Sequence, residues 1–137
     1  MISPVVIRRD IYPPTPQTFA LPRTTLSDRQ LEIWYAVRDA QTAALEAARN
    51  GTFTRVPDQA ARAVLKPYGW EKHFTHRLGH GIGLQIHESP YLRGGSDDII
   101  LSGHTFSDEP GVYIPDEVCG FLNYDEDTRS DRYIYTC

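Results

Sequence analysis

The feature that most constrains this chain is a change of periodicity between its two halves. Ser27 followed three residues later by Gln30 is a capping box, in which side chain and backbone satisfy each other's first orphan N–H groups. From there Leu31, Trp34, Val37, Gln41, Ala44, Leu45 and Ala48 recur at helical spacing up to Gly51, predicting an amphipathic helix of about six turns. A shorter helix is expected from Pro57, with Ala60, Ala61, Val64 and Leu65 on one face and a stop at Lys66-Pro67. Beyond Gly69 the texture turns to strands. Ile82, Leu84 and Ile86 alternate with Gly81, Gly83, Gln85 and His87, which predicts an apolar face packed on Trp34, Val37 and Leu45 and aims His87 away from the core into a cleft. Gly94-Gly95 reads as a turn, Ile99-Ile100-Leu101 as a short buried segment, and Val112-Tyr113-Ile114 as a strand ended by Pro115. Helices first and strands after predict an α+β domain, its helices packed on one face of a mostly antiparallel sheet.

With 137 residues, 40% of them hydrophobic, the chain can build one ordinary core. Its apolar runs are too short for a helical membrane span. No apolar stretch follows Arg8 and Arg9, so the N-terminus does not resemble a secretory signal. Cys119 and Cys137 are too few for a disulfide framework, and the expected setting is cytoplasmic with reduced thiols. The net charge of -4 hides an asymmetry: from Asp97 onward acids far outnumber Arg129 and Arg132. Overall charge therefore disfavours a nucleic-acid partner, and the acidic third is either a solvated surface or a source of oxygen ligands for cations. Residues 1–26 hold five prolines and read as an irregular lead-in after a short strand at Val5-Val6-Ile7.

All five histidines lie between positions 73 and 104. His76 and His80 have the spacing of a helical zinc pair, but Gly79, Gly81 and Gly83 make a helix there untenable. Glycines interleaved with histidines instead suggest a backbone that something approaches closely, beside imidazoles able to bind metal or move protons. A second patch, Ser107-Asp108-Glu109-Pro110-Gly111, puts a carboxylate pair before a turn and a strand; alone it reads as a solvated turn.

Together the two patches carry a family resemblance. The run from His76 to Pro90, of the form H-x-x-G-H-G-x-G-L-x-x-H-E-x-P, followed about twenty residues on by Glu109-Pro110-Gly111-x-Tyr113, resembles the catalytic half of the pita-bread metallopeptidases, in their Xaa-Pro branch of prolidases and aminopeptidases P. Ser27 to Gly51 is similar to the long helix that precedes these motifs, so the resemblance covers residues 18–120. It implies a partial pita-bread fold with a curved sheet, and a dinuclear site of manganese, cobalt or zinc held by two Asp, one His and two Glu. A metal-bound hydroxide would cleave proline-containing peptides there. On that resemblance His80 and Glu109 are metal ligands, with Glu109 also handling the proton. His76 and His87 contact substrate and intermediate, and Gly81 and Gly83 leave room for the peptide. His80 and Glu109 should then lie within about 6 Å of each other, close enough to share one ion.

The family's two aspartates, eleven positions apart, fall on Ser3 and Pro14, and its last glutamate falls on Tyr124. Asp10 and Glu126 are the nearby carboxylates that could stand in. Both breaks lie at the ends of the resemblance. Residues 1–17 and 121–137, the latter a divergent acidic tail, thus read as non-native flanks of a truncated or misassembled frame. Three readings follow: a peptidase completed from elsewhere, a second chain in a homodimer included; a weak or inactive fragment with at most one loosely bound metal; and a non-catalytic module that binds peptides or proteins.

Overall fold

The computed structural model describes residues 27–115 together with the short strands at 118–119 and 134–135. Helix α1 spans Asp28–Ala47 and opens with the expected capping box: the Ser27 hydroxyl accepts from the Gln30 N–H at 3.2 Å, and Gln30 Oε1 accepts from the Ser27 N–H at 2.9 Å. It stops short of Gly51. Thr52 Oγ1 donates to the Arg49 carbonyl, the Gly51 N–H donates to the Ile100 carbonyl and Ile100 N–H to the Thr52 carbonyl. That turn, with Gly51 at φ 86°, is tied to the strand side of the molecule and cannot continue the helix.

The buried stripe of α1 is Ile33, Ala36, Val37, Ala40, Gln41 and Ala44, while Leu31 is exposed and Trp34 and Leu45 are half-buried. Two apolar stripes lie side by side on this helix; the one rich in alanine faces inward because small side chains let the next helix approach closely. That helix, α2 (Arg55–Leu65), packs against α1 and buries Pro57, Asp58, Ala61 and Leu65. Pro57 falls in the first turn, where no intrahelical N–H is needed. The helix yields at Lys66 to a 3-10 turn (Lys66–Tyr68) closed by Gly69 at φ 72°.

A four-stranded sheet has the order β2-β1-β3-β6, from β1 (Gly79–Gly81), β2 (Glu88–Leu92), β3 (Phe106–Ser107) and β6 (Ile134–Tyr135). β1 is antiparallel to both β2 and β3, and β3 is parallel to β6. A separate antiparallel pair joins β4 (Tyr113–Ile114), which ends at Pro115, to β5 (Val118–Cys119). The core lies between the helices and the sheet, where Leu78, Leu92, Ile100, Phe106, Val112 and Ile114 meet the α1 stripe. The α+β architecture and mostly antiparallel sheet match the sequence expectation.

One strand does not. Residues 82–87 are a loop between β1 and β2; Leu84 is fully exposed at 102%, Ile86 is 64% exposed, and Ile82 is half-buried. The ladder ends at Ile82, whose N–H donates to the Thr105 carbonyl and whose carbonyl accepts from Thr105 Oγ1. Glu88 then folds the loop back, its carboxylate accepting from the Gln85 N–H at 2.9 Å. Of Ile99-Ile100-Leu101 only Ile100 is buried. No helix among the described residues is long and apolar enough to cross a membrane. The expected strand at Val5-Val6-Ile7, the flanks 1–17 and, apart from β6, 121–137, and the positions Ser3, Asp10, Pro14, Tyr124 and Glu126 lie outside the described residues.

Candidate functional site

The site is assembled where β1 passes beside β3 and the residues that follow it. His80, in the middle of β1, is held at its backbone N–H by Ser107 Oγ at 3.0 Å. Glu109, just after β3, is held by its own N–H donating to the Leu78 carbonyl at 2.8 Å. These two anchors bring His80 Nε2 to 2.9 Å from Glu109 Oε1, with the side chains 3% and 15% exposed. The other ring nitrogen, Nδ1, lies 3.0 Å from the Gly81 carbonyl and donates to it.

Burial by itself would lower the proton affinity of the His80 imidazole. The Glu109 hydrogen bond, the Gly81 carbonyl and the Glu109 charge together outweigh that cost and raise its pKa, with Arg77 acting weakly in the opposite sense. The Glu109 carboxylate thus favours a proton on Nε2, between the two groups.

His76 is half-buried. Its Nδ1 donates to the Arg77 carbonyl at 2.7 Å, and its Nε2 lies 3.0 Å from the Tyr113 hydroxyl. Burial, then the charge of Glu109, push the Tyr113 phenol above its ordinary pKa. His87 is exposed, and its ring centroid is 4.4 Å from that of His80 at an interplanar angle of 66°. The structure thus brings His80 against both Glu109 and His87, and sets His76 against Tyr113, whose phenol feels the charge of Glu109.

The adjacent carboxylates Asp108 and Glu109 part company. Asp108 is fully buried with both carboxylate oxygens unpartnered, and its pKa is driven well above normal by burial and by the neighbouring Glu109 charge. Only its backbone is engaged, the carbonyl accepting from Gln41 Nε2 at 3.0 Å. The pair is not a solvated turn.

Gly81 and Gly83 receive a different explanation from the one suggested by sequence. A Cβ on Gly81 would collide with the Ser89 carbonyl of β2, and one on Gly83 with the Glu88 carboxylate. The room they leave is filled by the hairpin itself, so close strand approach and loop closure, not space for a peptide, account for both.

Sequence reasoning missed the support beneath the histidines. Arg62 donates to Asp58, to the Phe74 carbonyl at 2.9 Å and to the His76 carbonyl at 2.7 Å, while Asp58 accepts from the Leu78 N–H at 3.1 Å. This clamp on α2 sets the path of residues 74–78. Its visible signal was the Asp58/Arg62 spacing of four, which on a helix brings opposite charges together.

Residues 14–128 match Metallopeptidase family M24. A Xaa-Pro dipeptidase from Lactobacillus helveticus is 43% identical over 107 residues, covering 74% of this chain and 29% of that protein. A probable dipeptidase PepE from Mycobacterium tuberculosis is 50% identical over 76 residues, 56% of this chain and 20% of its own length. Among solved structures, the prolidase from Pyrococcus furiosus superposes with a TM-score of 0.67 at 36% identity, covering 74% of this chain and 32% of that one. The chain spans about a third or less of the length of these relatives. On the family match, and with the same fold in a solved prolidase, this chain belongs to metallopeptidase family M24 and carries part of its pita-bread fold.

Proposed function

We propose that this chain carries the His80–Glu109 portion of a metal-dependent Xaa-Pro peptidase site and takes proline-containing peptides as its ligands. The observation that carries the reading is the approach of His80 Nε2 to 2.9 Å from Glu109 Oε1 across 29 positions of sequence, with Nδ1 tied to the Gly81 carbonyl. An imidazole so tied keeps its Nε2 lone pair free for a metal once the bridging proton leaves, which is the outer hydrogen bond that metal-ligating histidines use. The nitrogen and carboxylate donors suit manganese, cobalt or zinc. Among the described residues no group of three or more His, Cys, Asp or Glu could hold an ion. His80 and Glu109 would hold one ion, weakly, as two of its ligands.

When bound, such an ion lowers the pKa of a coordinated water and polarises the scissile carbonyl. Glu109 handles the proton. His76, with its Nδ1 committed to a carbonyl and its Nε2 beside Tyr113, and His87, exposed beside His80, contact the peptide and the developing oxyanion. In this reading residues 18–120 form the catalytic part, residues 1–13 and 129–137 lie outside the family match, and the remaining ligands come from Asp10, Glu126 or a second chain or are absent. Turnover of Xaa-Pro dipeptides is then weak or nil. A setting inside the cytoplasm fits a peptidase of this kind with Cys119 and Cys137 reduced.

The test is a titration of the chain with cobalt, read by its visible absorption, beside His80→Ala and Glu109→Gln. Both substitutions are expected to abolish the binding, and cobalt uptake unchanged in both would overturn the metal-site reading. An assay of the same samples on a Xaa-Pro dipeptide separates the active from the inactive form: robust turnover abolished by His80→Ala would mean that other residues complete the site.

A further inference from the structure

Gln41 is the polar member of the buried stripe of α1, 5% exposed beside Ala40 and Ala44. A side-chain amide is costly to bury unless it is hydrogen-bonded, and alanine would serve the helix better at that position. The amide is used across the molecule: its Nε2 donates at 3.0 Å to the carbonyl of Asp108, 67 positions away. That carbonyl and the N–H of Glu109 are the two polar ends of one peptide unit. The N–H end is held as well, donating to the Leu78 carbonyl at 2.8 Å. A peptide unit is planar, so bonds at both ends fix its orientation about the chain axis.

That orientation decides where the Glu109 side chain points. The unit places the Glu109 nitrogen and Cα. Pro110, fully buried, sets the direction in which the chain leaves that Cα and confines the residue before it to extended conformations. With both backbone bonds of the Cα fixed, its tetrahedral geometry leaves one position for Cβ, and from there Oε1 reaches His80 Nε2 at 2.9 Å. The Leu78 end is anchored in turn on α2, because the Leu78 N–H donates to Asp58 at 3.1 Å and Asp58 pairs with Arg62. Each helix thus holds one end of the peptide unit that carries Glu109, α2 through Leu78 and α1 through Gln41.

We propose that Gln41 is the positioning residue of Glu109: its side-chain N–H holds the Asp108–Glu109 peptide in the orientation that delivers the Glu109 carboxylate to His80, and so sets the affinity of that pair for a divalent cation. The positioning belongs to the chain without metal, while its effect on cation affinity rests on the peptidase reading of the site. When the donor is removed, the buried Asp108 carbonyl loses its partner and turns toward another, and Glu109 turns with it.

The test uses the full chain and three variants. Gln41→Met and Gln41→Leu keep bulk in the stripe and remove the donor, whereas Val37→Ala removes buried volume from the same stripe and keeps the donor. Without metal, the nuclear Overhauser effect between the His80 ring and the Glu109 side chain reads their approach. It is expected at full strength in the wild-type chain and in Val37→Ala, and weakened in both Gln41 variants. With cobalt, followed by its visible absorption, the Gln41 variants should bind about ten- to a hundredfold more weakly, the range found when an outer partner of a metal ligand is lost. Val37→Ala should bind as tightly as the wild type. Either Gln41 variant suffices if the other does not fold. An Overhauser effect undiminished in a folded Gln41 variant, or equally weakened in Val37→Ala, overturns the positioning role, as does cobalt affinity unchanged in the Gln41 variants. A wild-type chain that takes up no cobalt overturns the metal-site reading instead, and the comparison without metal still decides the role of Gln41.

Discussion

The His76 ring is held at both nitrogens: Nδ1 donates to the Arg77 carbonyl at 2.7 Å and Nε2 sits 3.0 Å from the Tyr113 hydroxyl. With Nδ1 carrying a proton, neutral His76 presents Nε2 as an acceptor, and Tyr113 is its donor. Phenylalanine at position 113 should leave that nitrogen unpaired. The expected result for Tyr113→Phe is a loss of about 1 kcal/mol in urea denaturation, together with a displaced His76 ring signal in the NMR spectrum.

The same tyrosine gives a prediction in pH. Burial and the charge of Glu109 raise its pKa in the folded chain. A raised folded pKa means that the contribution to stability is fully present below the unfolded value of about 10 and is lost as pH rises through the folded one. Phenolate absorbance should show a component that ionises above the ordinary tyrosine range. In Tyr113→Phe the late component should vanish.

Asp108 is a cost to the fold. Its carboxyl is buried with neither oxygen paired, and burial raises its pKa well above the ordinary value. Stability should fall as pH rises from the ordinary aspartate range toward the raised folded pKa, because the unfolded chain releases the proton first. Asp108→Val, of similar volume, should stabilise the chain by about 1 to 3 kcal/mol at neutral pH and remove that pH dependence. Thermal melts across pH 4 to 8 (a range set around the usual carboxylate and histidine values) make the comparison.

The clamp on α2 should matter far more than a surface ion pair. Asp58 is 1% exposed and bonds both Arg62 and the Leu78 N–H. Asp58→Ala strips a partner from a buried donor and from a half-buried cation, and about 3 kcal/mol of stability should be lost. The His76 and His80 ring signals are expected to shift with it.

Residues 82–87 supply the opposite case. Leu84 and Ile86 face solvent, so Leu84→Ser and Ile86→Ser should each change stability by no more than about 0.5 kcal/mol. A strand packed on the core at these positions would lose several times as much.

Local rules written in the sequence determined the elements whose causes are local. The capping box at Ser27 and Gln30, the stop at Lys66-Pro67 and the turn at Gly94-Gly95 depend on neighbours in the chain, and each stands where the sequence puts it. The histidine and glutamate motifs likewise marked His80 and Glu109. What sequence left undecided were the outcomes of competition between equally good local patterns. The helix from Asp28 offers two apolar stripes, and only the approach of α2 selects the one with Ala36, Ala40 and Ala44. The alternation from Ile82 to His87 is compatible with a strand, but a strand needs a ladder, and the available partners end at Thr105 and Glu88. Asp108 and Glu109 look alike side by side in sequence. Tertiary packing separated them, turning Glu109 toward His80 and enclosing Asp108 without a partner, because hydrogen bonding and desolvation depend on what the rest of the chain brings within a few ångströms.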